Sequence, residues 1–229
     1  MKVQTKTFSE DTTPAPKAFF PFIIYLLLFF SLWTGWVLWI YPHMEILGNT
    51  TFVYAILNIA LRLLLWVLPV FLYLRYIDHV NPFEYLKLNQ YWKRGILVGL
   101  ALSLLNFLGI LLRFGLPHFS MQYMTWNSLL STSLLIGFIE EIPFRGFILQ
   151  KFQERWYFWL ANLFSSLLFL GIHLPGWISL HIFSLGGMIS IFLLGAIFAV
   201  VFHYSKSLWS NIIIHSLNDF LSSMLFHIS

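Results

Sequence analysis

The sequence predicts an all-α polytopic membrane protein with about seven transmembrane helices in one bundle. Three observations predict it. Of 229 residues, 59% are hydrophobic and only 10% are charged, whereas an ordinary soluble domain carries about 25% charged residues. Several apolar stretches reach about 20 residues, the length at which a helix crosses a bilayer. The segments between them are short, and no repeat or soluble module interrupts the pattern.

Composition also excludes some chemistry. The chain has no cysteine, which removes disulfides, thiolate metal sites and a cysteine nucleophile. The net charge is +4, but the basic residues are scattered among loops and form no stripe with interleaved aromatics. No nucleic-acid partner is expected. The expected partners are the lipid bilayer and a peptide or protein substrate within it.

Taken in order, residues 1–18 read as a disordered cytoplasmic tail, polar and rich in Thr, Pro and Lys. Residues 19–127 read as N-terminal transmembrane helices. The run Phe19 to Tyr41 is too long for a signal-peptide core and lacks a small-residue cleavage site, so it is retained as a span. A second span covers about Phe52 to Tyr76. The short segment 81–94, with Lys87, Lys93 and Arg94, reads as amphipathic and interfacial. A third span runs from about Gly95 to Leu116, followed by a connector at His118 to Trp126.

Residues 128–229 read as the helical core that carries the chemistry. Its spans are about Ser128 to Gln150, Trp156 to Leu174, Leu185 to Tyr204 and Leu208 to Phe226, with Trp177 to Ser184 ambiguous. Lys2, Lys6, Lys17, Arg75, Lys87, Lys93, Arg94, Lys151, Arg155 and Lys206 all fall on one side of this topology, and only Arg113 falls opposite. The positive-inside rule then places the N-terminus in the cytoplasm.

Three acidic residues lie within spans: Glu140, Glu141 and Asp219. A charge at bilayer depth costs at least about 2.5 kcal/mol, so such residues are functional candidates by default. In "IEEIPFRGFILQ", Glu141 and Arg145 are spaced i,i+4 and lie about 40° apart around a helix, so they can pair; Glu140 is about 140° from Arg145 and points elsewhere. Glu141–Arg145 therefore reads as a structural pair and Glu140 as the free carboxylate. Pro143 withdraws the backbone hydrogen bond to the Ile139 carbonyl and opens the helix beside Glu140. Gly137 and Gly146 bracket the motif and permit close helix contact.

Two further segments join this one. In "FLGIHLPG", Phe169 and His173 share a helix face. In the last span, Ser207, Asn211, His215, Asp219 and Ser222 form one polar stripe that must face the bundle interior or a watery cavity. Together the three helices can activate a water. Glu140 would act as general base, His173 would share or orient the water, and His215 with its i+4 neighbour could stabilise an oxyanion. Neither GxSxG nor HExxH occurs, which argues against a serine hydrolase elbow and that type of zinc protease.

These segments together resemble the CPBP family, the CAAX-protease and bacteriocin-processing (Abi) intramembrane endopeptidases. The family pattern of EExxxR, FxxxH and HxxxN or HxxxD on separate helices reads here as Glu140-Glu141-x-x-x-Arg145, Phe169-x-x-x-His173 and His215-x-x-x-Asp219. The resemblance covers about Ser128 to Phe226. It implies a glutamate-dependent intramembrane endopeptidase of a bacterial plasma membrane, with Glu140 and His173 activating water and His215 with Asp219 supporting the transition state. Phe169 would shape the pocket, and Glu141 and Arg145 would support it. Position 219 departs from the Asn of the prenyl-protease members. An ionised Asp cannot donate to an oxyanion, so Asp219 must be protonated, orient His215, or leave donation to Asn218.

No cofactor is expected. Zinc held by Glu140, His173 and His215 is the alternative for the same set. The family also links such proteins to peptide maturation and bacteriocin self-immunity. A non-enzymatic immunity protein or a proton-coupled carrier is the competing function, although no mirrored helix break of the kind carriers show appears in the first half. Arg62, isolated in the second span one turn from Asn58, has no assigned role; snorkelling or pairing with Glu141 or Asp219 are its options.

Overall fold

A computed structural model describes residues 19–44, 48, 50–116 and 124–225. The tail and the end of the last run therefore lie outside the described residues. Those described are helical, with no strand among them. The helices are α1 (Phe19–Met44), α2 (Phe52–Tyr76), α3 (Pro82–Tyr85), α4 (Trp92–Phe114), α5 (127–153), α6 (Phe158–Gly171), α7 (Leu174–Leu180), α8 (Leu185–Ser205) and α9 (Leu208–Phe220, continued by a π turn Leu221–Leu225).

Among the described residues, five helical stretches are long and apolar enough to cross a membrane: α1, α2, α4, α6 with α7, and α8. The expected count of seven is not reached on this measure, because α5 and α9 are absent from it. Both are enclosed by the others. Every residue from Ile139 through Leu149 is buried. A helix sheathed by neighbours needs no lipid-compatible outer face, so it can keep the charges that lower its hydropathy.

Other expectations shift at their edges. The interfacial segment 81–94 is one helical turn and an irregular stretch, and α4 already begins at Trp92. Leu86 and Leu88 are tucked into the bundle. The backbone carbonyls of this stretch accept from the inner helices, with Trp209 Nε1 donating to Leu88 at 2.8 Å and Gln150 Nε2 to Tyr85 at 2.7 Å. Within Trp177 to Ser184, α7 ends at His181 in a left-handed conformation, φ 54°. Ser184 then caps α8 by accepting from the Gly187 amide.

Packing explains the central place of α9. Gly95, Gly99 and Ser103 form the buried face of α4, a small-residue stripe at spacings of four that lets backbones approach. A Cβ on Gly99 would lie 2.8 Å from Ile213 Cβ and 3.0 Å from the Ser210 carbonyl. On the other side, α5 meets α9 at Gly137, where a Cβ would collide with the Ile212 carbonyl and Ser216. The opposite flank of α5 is aromatic. Phe22, Tyr25, Phe29 and Trp33 of α1 recur every three or four residues on one face and are buried. Their rings pack edge-on against Phe147 and Trp66.

The backbone of α5 is not a plain α-helix. It is π-helical over Asn127–Leu134 and Ile142–Ile148, with α-helix at Ile136–Glu141 between. The second π segment contains Pro143 near its start. Proline cannot donate to the preceding turn, and a widened turn is one way to absorb that loss. Glu140 and Glu141 therefore sit on the last α-helical residues before the helix widens. At its far end, α5 is held by Lys151, which is buried and pairs with Asp78 at 3.1 Å and Glu154 at 2.8 Å.

Candidate active site

Helix phase separates the two glutamates as the i,i+4 geometry requires. Arg145 Nη1 donates to Glu141 Oε1 at 2.7 Å, with both side chains buried. Its other arm donates to the Gly195 carbonyl at 3.1 Å, and its plane lies over the Phe169 ring at 4.2 Å and the Phe198 ring at 5.2 Å. A buried guanidinium is tolerable only when paired and enclosed in this way. Glu140 makes no hydrogen bond among the described residues and lines an open cavity of about 400 Å³.

Glu141 does more than neutralise Arg145. His215 Nδ1–H donates to Glu141 Oε1 at 2.7 Å. Asn211 of α9 donates to Glu141 Oε2 at 3.2 Å and to the Phe198 carbonyl at 2.7 Å. The carboxylate thus joins α5 to α9 and fixes how the imidazole is turned. With Nδ1 committed, Nε2 faces the cavity side, 3.9 Å from Glu140 Oε2 and 3.7 Å from Asp219 Oδ2. Nε2 carries a proton in this arrangement only when the ring is an imidazolium.

His173 is oriented by the same device on another helix. It sits at the break between α6 and α7, and its Nδ1–H donates to the Phe169 carbonyl at 2.9 Å. That fixes the tautomer and leaves Nε2 as an acceptor. Phe169 is buried with its ring edge-on to His173 at 5.2 Å and to His215 at 6.2 Å. Gly195 allows this placement, since a Cβ there would meet Phe169 at 3.3 Å.

Glu140, Phe169, His173, His215 and Asp219 all line the one cavity. Asn218 does not. Its amide donates to Asp219 Oδ1 at 3.1 Å and its carbonyl accepts from Asn106 of α4 at 3.1 Å. Its phase on α9 turns it toward α4 rather than into the cavity. Ser222 of the polar stripe returns its hydroxyl to the Asn218 carbonyl at 2.9 Å, so the stripe is in part local backbone capping.

The cavity wall also contains residues that the motifs did not mark: Trp33, Arg62, Thr132 and Trp177. Arg62 was conspicuous as a lone charge; nothing in the sequence singled out the others. Neither option of pairing Arg62 with Glu141 or Asp219 is realised. Glu141 is occupied by Arg145 and His215, and the Arg62 guanidinium lies over the Trp33 ring at 5.6 Å.

As for the zinc alternative, no three His, Asp or Glu side chains among the described residues are placed to hold one ion. The imidazole Nδ1 atoms are committed to Phe169 and Glu141, and the site offers two carboxylates, Glu140 and Asp219, and two ring nitrogens around a space rather than a closed ligand set.

The model for type II CAAX prenyl endopeptidase Rce1-like proteins matches residues 122–221. Residues 122–221 are similar to that family. The matched stretch holds α5 through α8 and α9 up to Leu221, hence Glu140, Glu141, Arg145, Phe169, His173, His215 and Asp219, whereas Trp33, Arg62 and Asn106 lie outside it. The matched family is one of CAAX-type proteases. No curated protein and no solved structure matches the chain.

Proposed function

We propose that the protein is an intramembrane endopeptidase that hydrolyses peptide bonds of membrane-associated or exported peptides with a water activated by Glu140. The observation that carries this reading is the Glu140 carboxylate, free of hydrogen bonds among the described residues and facing the same cavity as His173 and His215. A water between Glu140 and His173 Nε2 meets two acceptors, so both of its hydrogens are engaged and a lone pair is left for the scissile carbonyl. Glu140 takes one proton as the water oxygen attacks the carbonyl carbon. The His215 imidazolium donates from Nε2 to the developing oxyanion. Glu140 then returns its proton to the leaving amine as the C–N bond breaks.

Asp219 fits the role of holding His215 rather than donating to the oxyanion. Its Oδ2 lies 3.7 Å from Nε2, an electrostatic contact longer than a hydrogen bond. Glu141, Arg145 and Asn211 act through His215 and are positioning residues.

The cavity is lined from one end of the bundle: the second half of α1, the start of α5, α7 and the first half of α8. Arg75, Lys87, Lys93, Arg94, Lys151, Arg155 and Lys206 belong to the other end, which the charge rule assigns to the cytoplasm. The site of this endopeptidase then opens outward, which suits exported peptides, signal-peptide remnants or the maturation of secreted peptides. In this reading α5 and α9 also span the bilayer, enclosed by the other helices.

The test is a comparison of peptides released from native membranes by the wild-type protein and by Glu140→Gln. Products present only with the wild type, accumulating as uncut precursors in the variant, support the reading. Identical peptide profiles from the two, at equal protein abundance, overturn it.

A further inference from the structure

One charge in the cavity wall has no part in this chemistry. Arg62 lies midway along α2, at the edge of its π turn Leu63–Val67, and its helix is held in place one turn earlier. There Asn58 donates to Asn127 Oδ1 at 2.9 Å and Ser131 Oγ at 3.0 Å. The guanidinium rests on the Trp33 ring. That ring is pinned in turn, since Trp33 Nε1 donates to the Ile172 carbonyl at 2.8 Å. Arg62 Nε is buried without a hydrogen-bond partner, and no carboxylate among the described residues forms an ion pair with this side chain. Arg145 shows the contrast: the same group type, buried nearby, with a carboxylate, a carbonyl and two rings around it.

An arginine at bilayer depth is costly and is retained where it pairs or binds. A guanidinium backed by an aromatic face keeps its N–H edge free, and that edge matches a carboxylate in two parallel hydrogen bonds. Among the other polar wall side chains, Thr132 returns its hydroxyl to the Ser128 carbonyl at 2.9 Å, and Glu140, His173, His215 and Asp219 belong to the reaction. We propose that Arg62 is the receptor for a carboxylate of the peptide substrate and sets which peptides the cavity accepts. The proposal rests on the endopeptidase reading for the nature of the ligand, a peptide. The carboxylate is either a free C-terminus or an acidic side chain close to the cut.

Binding separates the two sources and does not depend on turnover. The full chain carrying Glu140→Gln, in detergent micelles, is titrated with three fluorescent peptides built on one apolar decapeptide of the kind a signal-peptide remnant supplies. One ends in a free acid, one in an amide, and one in an amide with Glu as its last residue. The free-acid or the Glu peptide should bind about tenfold or more tightly than the plain amide, as for a charge-assisted hydrogen-bonded pair. Adding Arg62→Gln should erase that preference while the affinity for the plain amide stays within about twofold, because only the charged contact is lost. A preference confined to the free acid identifies a C-terminal carboxylate; one confined to the Glu peptide identifies a side chain. Arg62→Lys, which keeps the charge and loses the fork, should retain part of the preference and decides the matter where Arg62→Gln does not fold. Equal binding of all three peptides, a preference that survives both substitutions, or no binding at all overturns the proposal. If the peptides bind as expected but the protein with Glu140 intact cuts none of them and releases nothing from native membranes, the endopeptidase reading fails and the receptor stands.

Discussion

Glu141 and His215, 74 residues apart, are joined by a 2.7 Å hydrogen bond in the middle of the bundle. The same carboxylate oxygen also receives Arg145. One side chain therefore ties α5 to α9, neutralises a buried guanidinium and turns an imidazole toward the cavity. The adjacent Glu140 does none of these things.

That division predicts different outcomes for two neighbouring substitutions. Glu140→Gln should lower kcat by about 10²–10⁴-fold, the range for a lost general base, with the thermal midpoint close to wild type. Glu141→Gln should cost about 3 kcal/mol of stability, because it leaves Arg145 buried without its counter-charge, and should reduce activity as well. Thermal unfolding in detergent beside peptide turnover distinguishes the two. Equal stability losses for both variants would contradict the assignment.

Close approach at Gly137 is testable by adding a single methyl group. Gly137→Ala places a Cβ against the Ile212 carbonyl and Ser216, and backbone cannot yield as a flexible side chain does. Overpacking of this kind costs about 1–3 kcal/mol. The variant should unfold at lower temperature and lose turnover together. Gly109→Ala, where a Cβ meets nothing within 4 Å, should be silent in both assays.

Activity should persist after treatment with strong chelators and removal of the chelate. The reason is that no three metal-ligating side chains among the described residues are placed to share an ion, while Glu140 can activate water directly. Elemental analysis of the purified protein accompanies the assay. Loss of turnover that is recovered by one equivalent of zinc would restore the metal reading.

The direction in which the cavity opens can be read by labelling, and the absence of native cysteine makes every introduced thiol unique. Thr50 and Gln90 are exposed, and a Cβ on Gly176 meets open space. With a membrane-impermeant maleimide on intact cells, Thr50→Cys and Gly176→Cys should react and Gln90→Cys should not. The reverse pattern places the cavity on the cytoplasmic side.

Local rules carried the sequence reading a long way. Composition and run length were enough for an all-helical membrane bundle. The spacing of Glu141 and Arg145 was enough for their pairing, since i,i+4 proximity is a property of one helix and needs no partner. Pro143 marked the second of the two places where α5 leaves α-helical geometry, again a local matter of a missing N–H. The match of three weak motifs in order was enough to suggest the family whose model covers residues 122–221.

Tertiary structure decided what depends on distances between helices. Periodicity put His215, Asn218 and Asp219 on one short stretch of α9, but only the seating of α9 between α4 and α5 sends His215 and Asp219 to the cavity and Asn218 to Asn106. The second duty of Glu141 needs α9 pressed against α5 at Gly137, a contact no single helix encodes. Hydropathy missed the enclosure of α5 and α9, because it measures compatibility with lipid and these two helices are sheathed by protein. Arg62 was visible as an oddity, and it became a cavity residue only when α2 was set beside α1 with Trp33 beneath the guanidinium. Covalent neighbours along one chain determine helix, face and phase; which faces meet, and at what depth, is determined by the packing of all the helices at once.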